Sequence, residues 1–155
     1  MKISEKRKLY IKQIDIHFSE LDKGLEVLLY SYEKCSLMKG NKKEYNHDEL
    51  EAFEAFSARF ARASDILTQK VAKSLLMILQ EGALTFIDMA NFLEKIGLLE
   101  KAEDLINIRE LRNQIAHDYV ADDIRDLFDD VLLYTPKLRD IALNLKQYYI
   151  NKFPT

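Results

Sequence analysis

The chain has one cysteine, two prolines, four glycines and three histidines in 155 residues. A lone Cys35 excludes a disulfide framework. His17, His47 and His117 lie too far apart in sequence for metal-ligand spacing. Few glycines and prolines leave few places to break a helix, and no apolar run reaches the length of a membrane span. The basic N-terminus is not followed by the apolar core of a signal peptide. A net charge of −3 lacks the basic excess that coating nucleic acid requires, which leaves room only for a local site. These absences point to the cytoplasm, with no membrane partner and no cofactor.

What is present is helical patterning. Charged residues make up 32% and hydrophobic ones 48%, a globular balance, and the length suits one domain over 1–155. Ile11, Ile14, Phe18, Leu21, Leu25, Leu28, Tyr32 and Cys35 alternate by three and four, predicting a long first helix. Its basic start, from Lys2 to Lys12, reads as a solvated turn or as a phosphate-facing arm. Gly40 and Asn41 break the pattern, and Asn46 or Asp48 offers a helix cap.

A second long helix follows on Phe53, Phe56, Phe60, Ala63, Leu67, Val71, Leu75 and Ile78, running to about Gln80. Arg59 and Arg62 flank Phe60, facing either a cleft or water. After Gly82, Thr85 and Asp88 resemble a capping box for a short third helix that Gly97 closes. The fourth helix runs from about Leu99 to His117. An acidic stretch of Asp118, Asp122, Asp123, Asp126, Asp129 and Asp130 leads into the last helix, whose seam continues through a kink at Pro136. The fold class expected is an all-α, antiparallel up-and-down bundle of about five helices.

The fourth helix ends in Arg112-Asn113-Gln114-Ile115-Ala116-His117-Asp118-Tyr119. At roughly 100° per residue, Arg109, Asn113 and His117 share a polar face, while Leu105, Ile108, Leu111 and Ile115 form the apolar one. Arg112 falls at the rim of the apolar arc, where a guanidinium needs a carboxylate, phosphate or carbonyl partner. Cations near a helix C-terminus also offset the macrodipole, so part of this pattern has a purely structural explanation.

Arg112-Asn113 followed by His117-Asp118-Tyr119 resembles the Arg-x4-His-x-Tyr form of the HEPN motif found in the HepT toxins. The resemblance is tight over the motif and loose, through helix order, over the last two-thirds of the chain. It implies a helical bundle that homodimerises, with the motifs of two protomers meeting in a cleft that cleaves RNA without a metal. It also implies a partner, a minimal nucleotidyltransferase antitoxin that silences the enzyme by attaching AMP to the motif tyrosine, here Tyr119.

The chemistry suits these side chains. Metal-free RNA cleavage needs a base for the 2′-OH, an acid for the leaving 5′-oxygen and a cation for the phosphorane. His117 fits the proton-transfer role because an imidazole ordinarily titrates at about pH 6.5, and Arg112 fits the phosphate fork. Asn113 and Arg109 support them. One protomer supplies a single His for two proton transfers, which favours a two-fold dimer. On an ideal helix Arg112 and His117 point roughly 140° apart, so either the helix unwinds near His117 or the two residues act across the dimer. The alternative is a non-catalytic accessory subunit that presents substrate to a nucleotidyltransferase, docking through the acidic stretch.

Overall fold

The computed structural model describes residues 5–38, 45–79, 81–82, 84–117 and 124–154. Among them the secondary structure is helical and no strand occurs. Helix α1 spans Glu5–Met38 and α2 spans His47–Asp65. A π-helical segment, Ile66–Ala72, continues α2 without a break into α3, Lys73–Ile78. Then come α4 (Phe86–Lys95), α5 (Ala102–His117) and α6 (Ile124–Lys152). Because α2, the π segment and α3 form one rod, the chain is an all-α bundle of five rods.

Side-chain pairing fixes the directions. Cys35 meets Ala52, Arg59 meets Ser31, Lys70 meets Glu20 and Arg7 meets Ile78, an antiparallel ladder between α1 and the second rod. Phe18 packs on Tyr149 and Asp22 binds Lys146, which makes α6 antiparallel to α1. Asn107 bonds Tyr134 and Asp104 bonds Lys137, so α5 runs against α6. Helix α5 also packs on α2, closing a ring of four neighbours, α1, α2, α5 and α6, with α4 lying outside on α5.

The apolar stripes read from the sequence line the inside of this ring. Phe53, Phe56, Phe60, Ala63, Leu67, Val71, Leu75 and Ile78 are all buried, as are Leu105, Ile108, Leu111 and Ile115. Phe128 of α6 meets both Phe53 and Phe56, tying the last helix to the second rod through aromatic contacts. Ile11 departs from expectation: it is exposed, and the buried seam of α1 begins at Ile14. Tyr10 takes the place of Ile11 as the partly buried residue of that turn.

Caps and breaks follow the local chemistry. Asn46 accepts from the Glu49 N–H while the Glu49 carboxylate accepts from the Asn46 N–H, a complete capping box. At α4 only half of that device exists: Thr85 accepts from the Asp88 N–H. Gly82 and Gly97 adopt φ of 75° and 84°, left-handed values that suit glycine after a helix. Helix α6 runs through Pro136, and the neighbouring Thr135 hydroxyl donates to the Val131 carbonyl one turn back.

A cleft between the second rod and helix five

Helix α5 presents two faces, as its spacing predicts. Its apolar face is buried in the bundle, and Arg109, Asn113 and His117 are exposed along the other. Arg112 sits between them. Its Nε donates to Asp65 Oδ1 at 2.8 Å and its Nη2 donates to Oδ2 at 2.9 Å, a bidentate ion pair between α5 and the end of α2. The carboxylate beside it raises Arg112 above even the usual guanidinium range, first through the hydrogen bond and then through charge attraction. Arg112 therefore finds its partner inside its own chain. The Asp65 fork occupies the Nε and Nη2 edge and leaves the Nη1 edge for a further acceptor.

Around this pair lies a cleft of about 310 Å³ lined by Ser64, Asp65, Thr68, Gln69, Arg109, Arg112 and Asn113. Three of the motif-helix residues, Arg109, Arg112 and Asn113, thus share one concavity. His117 does not line it. That residue is exposed and ends α5, which stays α-helical through it, so the helix does not unwind to bring His117 beside Arg112. Tyr119, together with Asp118, Asp122 and Asp123, lies outside the described residues.

The floor of the cleft is the π-helical segment. Widening a helix by one residue per turn re-aims its side chains, and such segments recur at functional sites. Here Thr68 and Gln69 come from it, with Ser64 and Asp65 from the turn before. Thr68 is buried, and its hydroxyl donates to the Ser64 carbonyl, so part of this polar patch is spent on the helix itself.

Arg109 stands at the edge of the cleft with its guanidinium 4.3 Å from the centroid of the Phe86 ring. Arg59 plays a different part: it donates to Ser31 Oγ and the Val27 carbonyl, clamping α2 to α1 away from this cleft. Arg62 is exposed and does not line this cleft.

Asp65, Thr68 and Gln69 were not singled out by sequence reasoning. The signal that could have found them is a polar quartet, Ser64, Asp65, Thr68 and Gln69, at one- and four-residue spacing on an otherwise core-forming helix. Among the described residues no group of three or more His, Cys, Asp or Glu is placed to hold a metal ion. No helix of the described residues is long and apolar enough to cross a membrane. No protein-family model, curated protein or solved structure compared with the chain matches it.

Proposed function

We propose that the chain is a metal-independent endoribonuclease of the HepT toxin kind, acting as a homodimer and silenced by a nucleotidyltransferase antitoxin. The observation that carries this reading is the shared cleft of Arg109, Arg112 and Asn113, on the helix that ends in exposed His117. Arg112, oriented by Asp65, offers its free edge to a phosphate, where a fixed cation stabilises a charged phosphorane. His117 of each protomer serves one proton transfer. The RNA 2′-oxygen attacks the adjacent phosphorus and gives its proton to one imidazole. The P–O5′ bond then breaks as the second imidazolium protonates the leaving oxygen, yielding a 2′,3′-cyclic phosphate and a 5′-hydroxyl. Helix α5 remains regular through His117, which favours assembly across a dimer over a site within one chain.

In this scheme Tyr119 is the control point. Its phenol oxygen attacks the α-phosphorus of ATP in the antitoxin's active site, loses its proton and expels pyrophosphate, leaving an AMP ester two residues from His117. The added anion repels RNA and competes for Arg112. Intact-mass spectrometry after incubation with the cognate nucleotidyltransferase, ATP and magnesium tests the step. An adduct is expected on wild type and none on Tyr119→Phe.

The ribonuclease itself is tested by incubating RNA with purified protein in EDTA. Cleavage to cyclic-phosphate ends is expected for wild type and neither for Arg112→Ala nor for His117→Ala. Cleavage retained in both variants rejects the assignment.

A second reading has its own observation. Arg112 is already neutralised by Asp65, and His117 does not line the cleft that holds Arg112. Both facts suit a non-catalytic accessory subunit that offers a docking surface to a nucleotidyltransferase. A wild-type protein that binds the transferase stoichiometrically yet cleaves no RNA selects this alternative.

A further inference from the structure

Beside the Arg112 cleft lies a larger one of about 480 Å³, formed where the start of α1, the π segment, α3, α4 and α5 come together. The two concavities have Thr68, Gln69 and Arg109 in common. Among the described residues the larger is lined by three cations, Lys6, Lys73 and Arg109, and by no carboxylate. Among the described residues none of the three has an ion-pair partner. In a chain of net charge −3 this is a local excess of positive charge. The cations come from three separate helices, so the excess arises from the fold and not from a run in the sequence.

Besides Thr68, Gln69 and Gly82, the rest of the lining is apolar or aromatic. Tyr10 and Phe86 are half-buried against the core, and Met77 of α3 joins them in the lining. Arg109 spreads its guanidinium over the Phe86 ring, presenting a flat cationic surface. Cations that track a phosphate backbone beside planar groups on which bases stack are the two ingredients of single-strand recognition. The volume falls within the range of pockets that hold small organic ligands.

We infer that this cleft seats a nucleotide of the RNA strand next to the scissile phosphate, with its phosphate on Lys6 and Lys73 and its base against Arg109, Tyr10 and Phe86. The basic start of α1 then has a function as a phosphate-facing arm. The inference rests on the proposed ribonuclease function for the identity of the strand, but its test measures binding and not cleavage. A free mononucleotide offers the same chemistry as one unit of a strand, and the two sources differ in how many phosphates are held at once.

The test uses a fluorescein-labelled 2′-O-methyl oligoribonucleotide of roughly eight residues, a length suited to a groove of this kind. Lacking a 2′-hydroxyl, it binds without being cut. Anisotropy titrations across a range of salt are run on wild type, Lys6→Ala/Lys73→Ala and Lys73→Glu. Lys6 and Lys73 are exposed, so the variants keep the fold, which far-UV circular dichroism checks. The double variant is expected to bind at least tenfold more weakly. Its dependence of log affinity on log salt should be shallower by about 0.7 for each phosphate that the protein no longer neutralises. Lys73→Glu should bind more weakly still.

Unchanged affinity in both lysine variants, or no oligonucleotide binding by wild type at low salt, overturns the proposal. Displacement of the oligonucleotide by AMP at equal concentration also overturns it, because the cleft would then serve a free nucleotide. A parallel cleavage assay keeps the two readings apart. Cleavage with lysine-independent binding removes the cleft and leaves the ribonuclease, while lysine-dependent binding without cleavage does the reverse.

Discussion

Arg112 and Asp65 meet edge to edge across the contact of α2 and α5, and the turn that supplies Asp65 is the last before the π-helical segment begins. The pair joins the motif helix to the rod that floors the cleft. Both side chains remain partly open to water, at 33% for Arg112 and 42% for Asp65, so the ion pair contributes little to stability, about 1 kcal/mol at most. Its larger effect is to hold the guanidinium plane in one orientation.

Asp65→Asn is therefore expected to shift Tm only slightly while lowering RNA cleavage by roughly tenfold or more, since small displacements of a positioning group are costly to rate. Asp65→Glu should recover part of the loss, because a carboxylate returns to the fork. Equal, small changes in cleavage and stability for both variants would show that the pair is only a strut.

The bundle was legible in the sequence because burial needs only periodicity. The three-four spacing of Phe53 to Ile78 and of Leu105 to Ile115 specifies which faces turn inward, and every one of those residues is buried. The polar face carrying Arg109, Asn113 and His117 was legible for the same reason. What could not be read was the partner of Arg112. Asp65 lies 47 residues away in the chain, and no local spacing rule joins them. The π segment was equally hidden, since its apolar residues Leu67 and Val71 keep a four-residue interval compatible with an ordinary α-helix. The larger cleft gathers Lys6, Lys73 and Arg109 from helices whose relative placement only the packed bundle defines.

Assembly gives a quantitative prediction. Light scattering should find twice the 18.2 kDa chain mass at micromolar concentration. If each cut draws one His117 from each protomer, a mixed dimer of wild type with His117→Ala is inactive. After subunit exchange at equal amounts, wild-type homodimers are roughly a quarter of all dimers, and cleavage per wild-type chain falls by about half. A site contained in one protomer shows no such fall.

Packing at two positions predicts stability changes of opposite sign. Phe60 is fully buried on the second rod, and Phe60→Ala should cost about 3–5 kcal/mol in denaturant unfolding. Gly24 lies inside α1, facing Ile66 at the first residue of the π segment. A Cβ there meets Ile66 Cδ1 at 3.5 Å, an ordinary van der Waals distance. Gly24→Ala should stabilise by about 0.5–1 kcal/mol, because the unfolded glycine has more freedom to lose. A loss of stability would mean that α1 and the π segment approach too closely to accept a methyl group.

Two carboxylates should respond to pH in opposite ways. Glu20 lies below the usual carboxylate range, chiefly through its 2.7 Å hydrogen bond from Lys70, with added attraction from Lys70 and His17. Its folded pKa is depressed, so its contribution to stability is present above the unfolded pKa and disappears as pH falls through the folded one. Glu20→Gln should lower Tm at pH 7, and the penalty should shrink as pH falls below the ordinary carboxylate value and vanish once it has passed the lower folded one. Asp130 is the reverse case. Partial burial raises it first, and repulsion from Asp126 and Asp129 raises it further. Its folded pKa exceeds the unfolded one, so its contribution is complete below the unfolded value and lost as pH rises through the folded value. At neutral pH the ionised Asp130 is a liability, and Asp130→Asn should raise Tm. That gain should shrink with acidification and be gone below about pH 4, where both states of the wild type carry the proton. Thermal melts of the two variants beside wild type from pH 3 to pH 8 check both signs at once, and a gain for Asp130→Asn that persists in acid would trace it to side-chain shape instead of charge.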